Sequence, residues 1–186
     1  PIFMAHVAVI NKVDSADPEK VTALRRTIGR LNPRAEIVLA DSVLLVDRPE
    51  AIQGKRVLVV EDGPTLTHGE MGFGAGAIAA RRWQAAETVD PRPFLVGSLE
   101  ETFRRYPHIG PLLPAMGYGP EQIRDLQATI NRTDCDLVVV ATPIDLTRLV
   151  TLNKPVIRVR YEYRDHGEPT LKSILLRRMG LAMEGH

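Results

Sequence analysis

Asn11-Lys12-Val13-Asp14 stands at the end of the apolar run Ala5–Ile10, and its residue types suit a turn that reads a base edge. The Asp14 carboxylate can accept from two adjacent N–H donors, the pair that guanine presents and adenine does not. Lys12 can lay its aliphatic stem along a base face, and Asn11 can brace the turn or reach the base. The next apolar run, Glu36–Ala40, ends in Ala40-Asp41-Ser42, a small-residue loop whose backbone N–H groups can approach the same base. Asn11, Lys12, Asp14 and Ser42 are therefore the candidate nucleotide-binding residues.

A second group fills residues 61–76, Glu-Asp-Gly-Pro-Thr-Leu-Thr-His-Gly-Glu-Met-Gly-Phe-Gly-Ala-Gly, between a strand and a helix. Ligands of parallel sheets sit outside the carboxyl ends of the strands. Gly72, Gly74 and Gly76 let a backbone approach an anion, and the helix start adds free N–H groups and the positive end of its dipole. The same glycines also suit close packing of a helix on a strand. His68 has an unperturbed pKa near neutrality and is the candidate for proton transfer or phosphate contact, with Glu70 and Asp62 beside it in the catalytic set. Glu61 and Asp62 are the candidate magnesium ligands.

A third strand end, Ala141-Thr142-Pro143-Ile144-Asp145-Leu146, adds Thr142 and Asp145, the latter equally suited to cap a helix. Arg81-Arg82 and Arg104-Arg105 read as solvated faces. Arg177-Arg178 reads as a favourable charge at a helix C-terminus. Cys135, the single cysteine, reads as a small buried residue and excludes a disulfide framework.

The elements that must position these residues follow from apolar runs and punctuation. Asp17-Pro18 opens a helix, and Val21, Leu24, Ile28 and Leu31 carry its apolar stripe to Asn32-Pro33. Strands are expected at 5–10, 36–40, 56–60, 136–141 and 156–161, with a further one at 43–46. Helices are expected at 77–86, 120–130, 145–149 and 170–181, and residues 91–119 form a Pro/Gly-rich ordered loop with short helices. Short, continuously apolar strands alternating with helices predict an α/β fold, a mainly parallel, Rossmann-like sheet with helices on both faces. The composition break near Asp47–Gly54 divides the chain into residues 1–50, carrying the Asn11–Asp14 loop, and an α/β domain of 51–186.

Over 186 residues, 24 Lys+Arg against 23 Asp+Glu leave a net charge of +1, so no broad field argues for nucleic acid or a membrane surface. No apolar run reaches the ~18 residues of a membrane span. The expected setting is the cytoplasm.

Asn-Lys-Val-Asp at 11–14, the 61–71 string and Ala-Thr-Pro-Ile-Asp-Leu at 141–146 together resemble the cyclic 2,3-diphosphoglycerate synthetase family. The resemblance covers the C-terminal portion of that P-loop family. It implies a nucleoside triphosphate (ATP or GTP), Mg2+ and a small anionic phosphorylated substrate closed into a cyclic pyrophosphate. No G-x-x-x-x-G-K-[ST] occurs, so the phosphate loop is expected in a missing N-terminal segment, and the fragment itself is expected to be inactive. Self-association into a homo-oligomer is a further expected partner. Two alternatives stand beside this reading: a GTP-binding regulatory or metal-delivery P-loop protein, and a non-catalytic α/β interaction domain.

Overall fold

Val57, Leu58, Val59 and Val60 present apolar side chains to both faces of an extended chain, so this segment is stable only where both faces are covered. In the computed structural model, which describes residues 2–68 and 74–180, all four are fully buried in β3, Arg56–Asp62. The strands in chain order are β1 (Val7–Ile10), β2 (Glu36–Val46), β3, β4 (Glu87–Thr88), β5 (Leu113–Ala115), β6 (Leu137–Ala141) and β7 (Val156–Asp165). The helices are α1 (Pro18–Leu31), α2 (Gly63–His68), α3 (Ala75–Arg82), α4 (Ser98–Arg105), α5 (Pro120–Arg132) and α6 (Leu171–Arg178). The pairings β1–β2, β3–β4, β3–β5, β3–β6 and β6–β7 are all parallel. The α/β class and the mostly parallel sheet are as the patterning predicts.

The chain divides into two units, residues 1–43 with 161–186 and residues 44–160. The expected division at 50/51 falls inside the second unit. In the first, α1 links β1 to β2, which pair from Val7↔Glu36 to Ile10↔Leu39. Asp17 caps α1 by accepting from the Glu19 N–H, and Pro18 occupies the first turn as expected. Ala8, Ile10 and Ile28 form a small core with Val13, Val21, Ile37 and Leu39 around it. Glu36 takes both Arg177 and Arg178 from α6, so that arginine pair serves an ion pair as well as a helix end.

In the second unit β3 is central. It is flanked on one side by β6, in register from Val57↔Leu137 to Glu61↔Ala141. On the other edge β4 pairs with its start and β5 with its end. The large core spreads from these strands to α3, α4 and α5 through Ala79, Leu99, Phe103, Leu126 and Ile130. Cys135 is buried, and burial pushes its thiol up, in keeping with a packing residue.

Three local expectations are corrected. Residues 36–46 form one strand where two were expected around an Asp41-Ser42 loop, because side chains from elsewhere pair with these two polar residues in place (below). Residues 63–68 turn into a helix directly after β3, with Pro64 in its first turn, where a loop was expected. β7 continues through Asp165, since its second half is exposed and carries no apolar signal. No helix among the described residues is long and apolar enough to cross a membrane.

Candidate functional site

Glu61 lies one residue before the end of β3, and the five residues Val57–Glu61 are all buried. It is 2% exposed. A carboxylate so placed is expensive unless hydrogen-bonded, and α3 supplies the partners. The Ala77 N–H donates to Glu61 Oε1 at 2.9 Å, and the backbones of Gly76 and Gly74 donate as well. The carboxyl thus satisfies the free N–H groups of the first helical turn. Gly74 has to be glycine for this: a Cβ there would stand 2.3 Å from Glu61 Oε2. Burial pushes the Glu61 carboxyl up to about 7, outweighing the three backbone donors that pull it down. It can therefore exchange a proton near neutral pH.

Around this carboxyl end the second unit gathers further polar groups. Asp62 follows on the strand and is half-buried. Tyr118, three residues beyond β5, has a hydroxyl that is buried and has no hydrogen-bond partner among the described residues. Burial, and then the Asp62 charge, raise its pKa, so the phenol stays protonated. At the end of β6, Thr142 is buried and donates to the Ile144 carbonyl at 2.6 Å. Asp145 caps the 3-10 turn Leu146–Arg148 by accepting from Thr147 and pairs with Arg158 of β7 at 3.3 Å. The Thr147 hydrogen bonds, with Arg158 and Arg148, hold it below the usual carboxylate range. Both residues have structural partners, as the capping reading allowed. His108 meets the Leu66 carbonyl of α2 at 3.1 Å through Nε2.

The loop of the first unit is ordered by its own side chains. Asn11 Oδ1 accepts from the Lys12 N–H at 2.8 Å, and Lys12 takes a positive φ of 64°. The Val13 N–H donates to the Ala40 carbonyl, and the Ser42 N–H donates to Asp14 Oδ1 at 3.1 Å. The Lys12 ammonium sits 5.5 Å from the centroid of the Tyr161 ring. Asp41 Oδ1 pairs with His166 Nδ1 at 2.8 Å, while the His166 N–H donates to the Leu39 carbonyl. The structure thus brings Asp14 and Ser42 together, and it adds Tyr161, Asp41 and His166 to the cluster. Sequence spacing gave no sign of Tyr161 and His166, which lie more than 100 positions from Asn11, whereas Asp41 was read only as part of the Ala40-Asp41-Ser42 loop. Because Asp14 is exposed, Asp14→Ala is expected to move the melting temperature by no more than ~2 °C in a thermal melt, since water replaces it at the Ser42 N–H.

Glu70 and Gly72 lie outside the described residues, and His68 enters the structure as the last residue of α2. Among the described residues no group of three or more His, Cys, Asp or Glu is gathered to hold a metal. Glu61 and Asp62 leave opposite faces of an extended strand, and Glu61 is engaged with α3. Mg2+ typically takes one or two carboxylates together with substrate phosphates, the donor type that Asp62 carries.

No family model matches the chain. A protein of Thermococcus kodakarensis named arginine synthetase ArcE is 53% identical over 171 residues, which are 92% of this chain and 38% of that protein. The chain therefore spans well under half the length of the curated relative it matches. This finding overturns the resemblance to cyclic 2,3-diphosphoglycerate synthetases drawn from short motifs: the relative that shares nearly the whole chain bears the name of an arginine synthetase.

Proposed function

We propose that this chain is part of a ligase-type synthetase that makes arginine, or a closely related guanidino amino acid, at the expense of a nucleoside triphosphate. The observation that carries this is 53% identity across 171 residues to a protein named arginine synthetase. Building a guanidino carbon requires nitrogen to attack a carbon whose oxygen has become a leaving group, and phosphoryl transfer from a nucleotide is the direct way to make it one. Mg2+, held by Asp62 with phosphate oxygens, would supply charge neutralisation for that transfer. Glu61, with its carboxyl near 7, and His68 are the groups suited to take up the proton that the attacking nitrogen releases. Asn11, Lys12, Asp14 and Ser42 are assigned to the nucleotide base.

The test uses the full-length protein with ammonium, a ureido amino acid (citrulline), Mg2+ and either ATP or GTP, with arginine quantified by chromatography. Arginine should appear in step with consumption of one of the nucleotides, and no arginine with either would sink the reading. In the same protein Asp14→Ala should raise the KM for the preferred nucleotide at least about tenfold, a change of ~1.4 kcal/mol. An unchanged KM would remove the base-binding assignment from the 11–14 loop.

A further inference from the structure

Val7–Ile10 is uninterruptedly apolar, the pattern of a parallel strand enclosed on both faces. The structure gives β1 only part of that setting. Among the described residues β1 pairs with β2 alone, and its other edge is bare. The His6 carbonyl accepts from the Glu36 N–H of β2. Backbone groups of successive residues point to alternate sides of a strand, so Ala8 and Ile10 face β2, while the N–H and C=O of Val7 and Val9 point outward. Val9 shares a face with its register partner Val38, yet Val38 is fully buried and Val9 is 42% exposed. Cover of that face therefore stops at β2. The other face shows the same shortfall. Ile28 of α1 is buried against Ala8 and Ile10, but Leu24 and Leu31, which flank it on one side of the apolar stripe, are 48% and 44% exposed. Proteins usually blunt an open strand edge with charge or proline, and Val7–Ile10 has neither.

We propose that β1 is an interior strand of a larger parallel sheet, and that its outer neighbour is an apolar strand from the part of the full-length protein outside these 186 residues. That part is substantial in the curated relative, which has well over half its length beyond the match. A second copy of this chain fits the edge less well. It would set β1 against itself in antiparallel sense about a two-fold axis, whereas β1–β2 and the other strand pairings are parallel. A parallel neighbour also has a consequence for the Asn11–Asp14 loop. Its carboxyl end lies beside Ile10, so the loop that follows it borders Asn11–Asp14 on the side where parallel sheets bind ligands. The assignment of that loop to a nucleotide base belongs to the synthetase reading, and the strand addition does not depend on it.

The test uses the full-length protein. Amide hydrogen exchange, read at single residues, compares Val7–Ile10 with the fully buried Val57–Val60 of β3. All four β1 amides should be slow, within about tenfold of those in β3. Val7 and Val9 exchanging at least about a hundredfold faster than Ala8 and Ile10 would mean a bare edge and would overturn the proposal. The neighbour is then identified with the photoreactive variant Val9→benzoylphenylalanine. Peptide mapping should place its cross-link within the same chain and outside residues 1–186. A cross-link between two copies, or one to a residue within 1–186, would overturn the proposal. Neither readout involves arginine formation, so a protein that makes no arginine but shows both results would lose the synthetase reading and keep the strand addition.

Discussion

Glu61→Ala should lower the melting temperature at pH 5.5 by roughly 6–12 °C. The variant strips the first turn of α3 of the carboxyl that three backbone N–H groups share, in a place where the residue is 2% exposed. Orphaned buried donors and a lost cap together amount to about 3 kcal/mol, and for a chain of this size each kcal/mol moves the midpoint by roughly 2–4 °C. Glu61→Gln separates charge from shape. The folded state holds the Glu61 proton up to about 7, against an ordinary value of 4.5. Between those values the native protein is protonated where the unfolded chain is not. The stability this group contributes is therefore complete below 4.5 and is lost as pH rises through 7, a swing on the order of 3 kcal/mol. Denaturant melts of the wild type across this window should show that decline, and Glu61→Gln should flatten it. A wild-type profile that rises with pH over the same range, or one that Gln leaves unchanged, would show that the three donors keep the group ionised throughout.

Gly63→Ala is the second large effect expected. A Cβ at position 63 would stand 2.6 Å from the Ala115 carbonyl oxygen and 2.9 Å from the Met116 Cα. These are backbone atoms of β5 and the residue after it, and β5 is itself pinned to β3, so neither can swing aside as a side chain could. Overpacking of this kind costs about 1–3 kcal/mol or more. Relief by displacing β5 would also shift the segment that carries Tyr118. The variant should therefore lose melting temperature, measured by thermal melt. A normal melt would show that α2 moves freely on the end of β3.

Where a fold signal is local, it could be read from the chain. Asp17-Pro18 and Asn32 bound α1 at the residues that its apolar stripe indicates, and the uninterrupted Val57–Val60 and Leu137–Val140 runs are the buried parallel strands. Where a polar residue is satisfied from far away, the reading failed. Asp41-Ser42 has the composition of a loop, yet His166 and Asp14 pair with these two residues across 125 and 28 positions, and the strand passes straight through. The candidate site divides in the same manner. The 61–76 string draws attention to the end of β3, but the sequence does not reveal that Glu61 serves the head of α3, because its donors come 13–16 residues later in the chain. Tyr118 carried no signal at all. Its interest comes from a missing hydrogen bond, which only packing exposes. The family inference failed because three short strings at strand ends carry far less information than likeness along 171 residues.

Residues 44–160 form one uninterrupted stretch, whereas the other unit is assembled from 1–43 and 161–186. During synthesis residues 1–43 leave the ribosome before the β7 end and α6 that their unit needs. The 44–160 unit is contiguous and has a large core of its own, so it can collapse as soon as β6 and the start of β7 have emerged. The cluster around Asn11–Asp14 and Ser42 waits for Tyr161 and His166 and is the last to be completed. A ribosome stalled before residue 161 would thus hold a finished 44–160 body attached to an unfinished 1–43 segment. Truncation from the C-terminal end should therefore destabilise the discontinuous unit before the contiguous one.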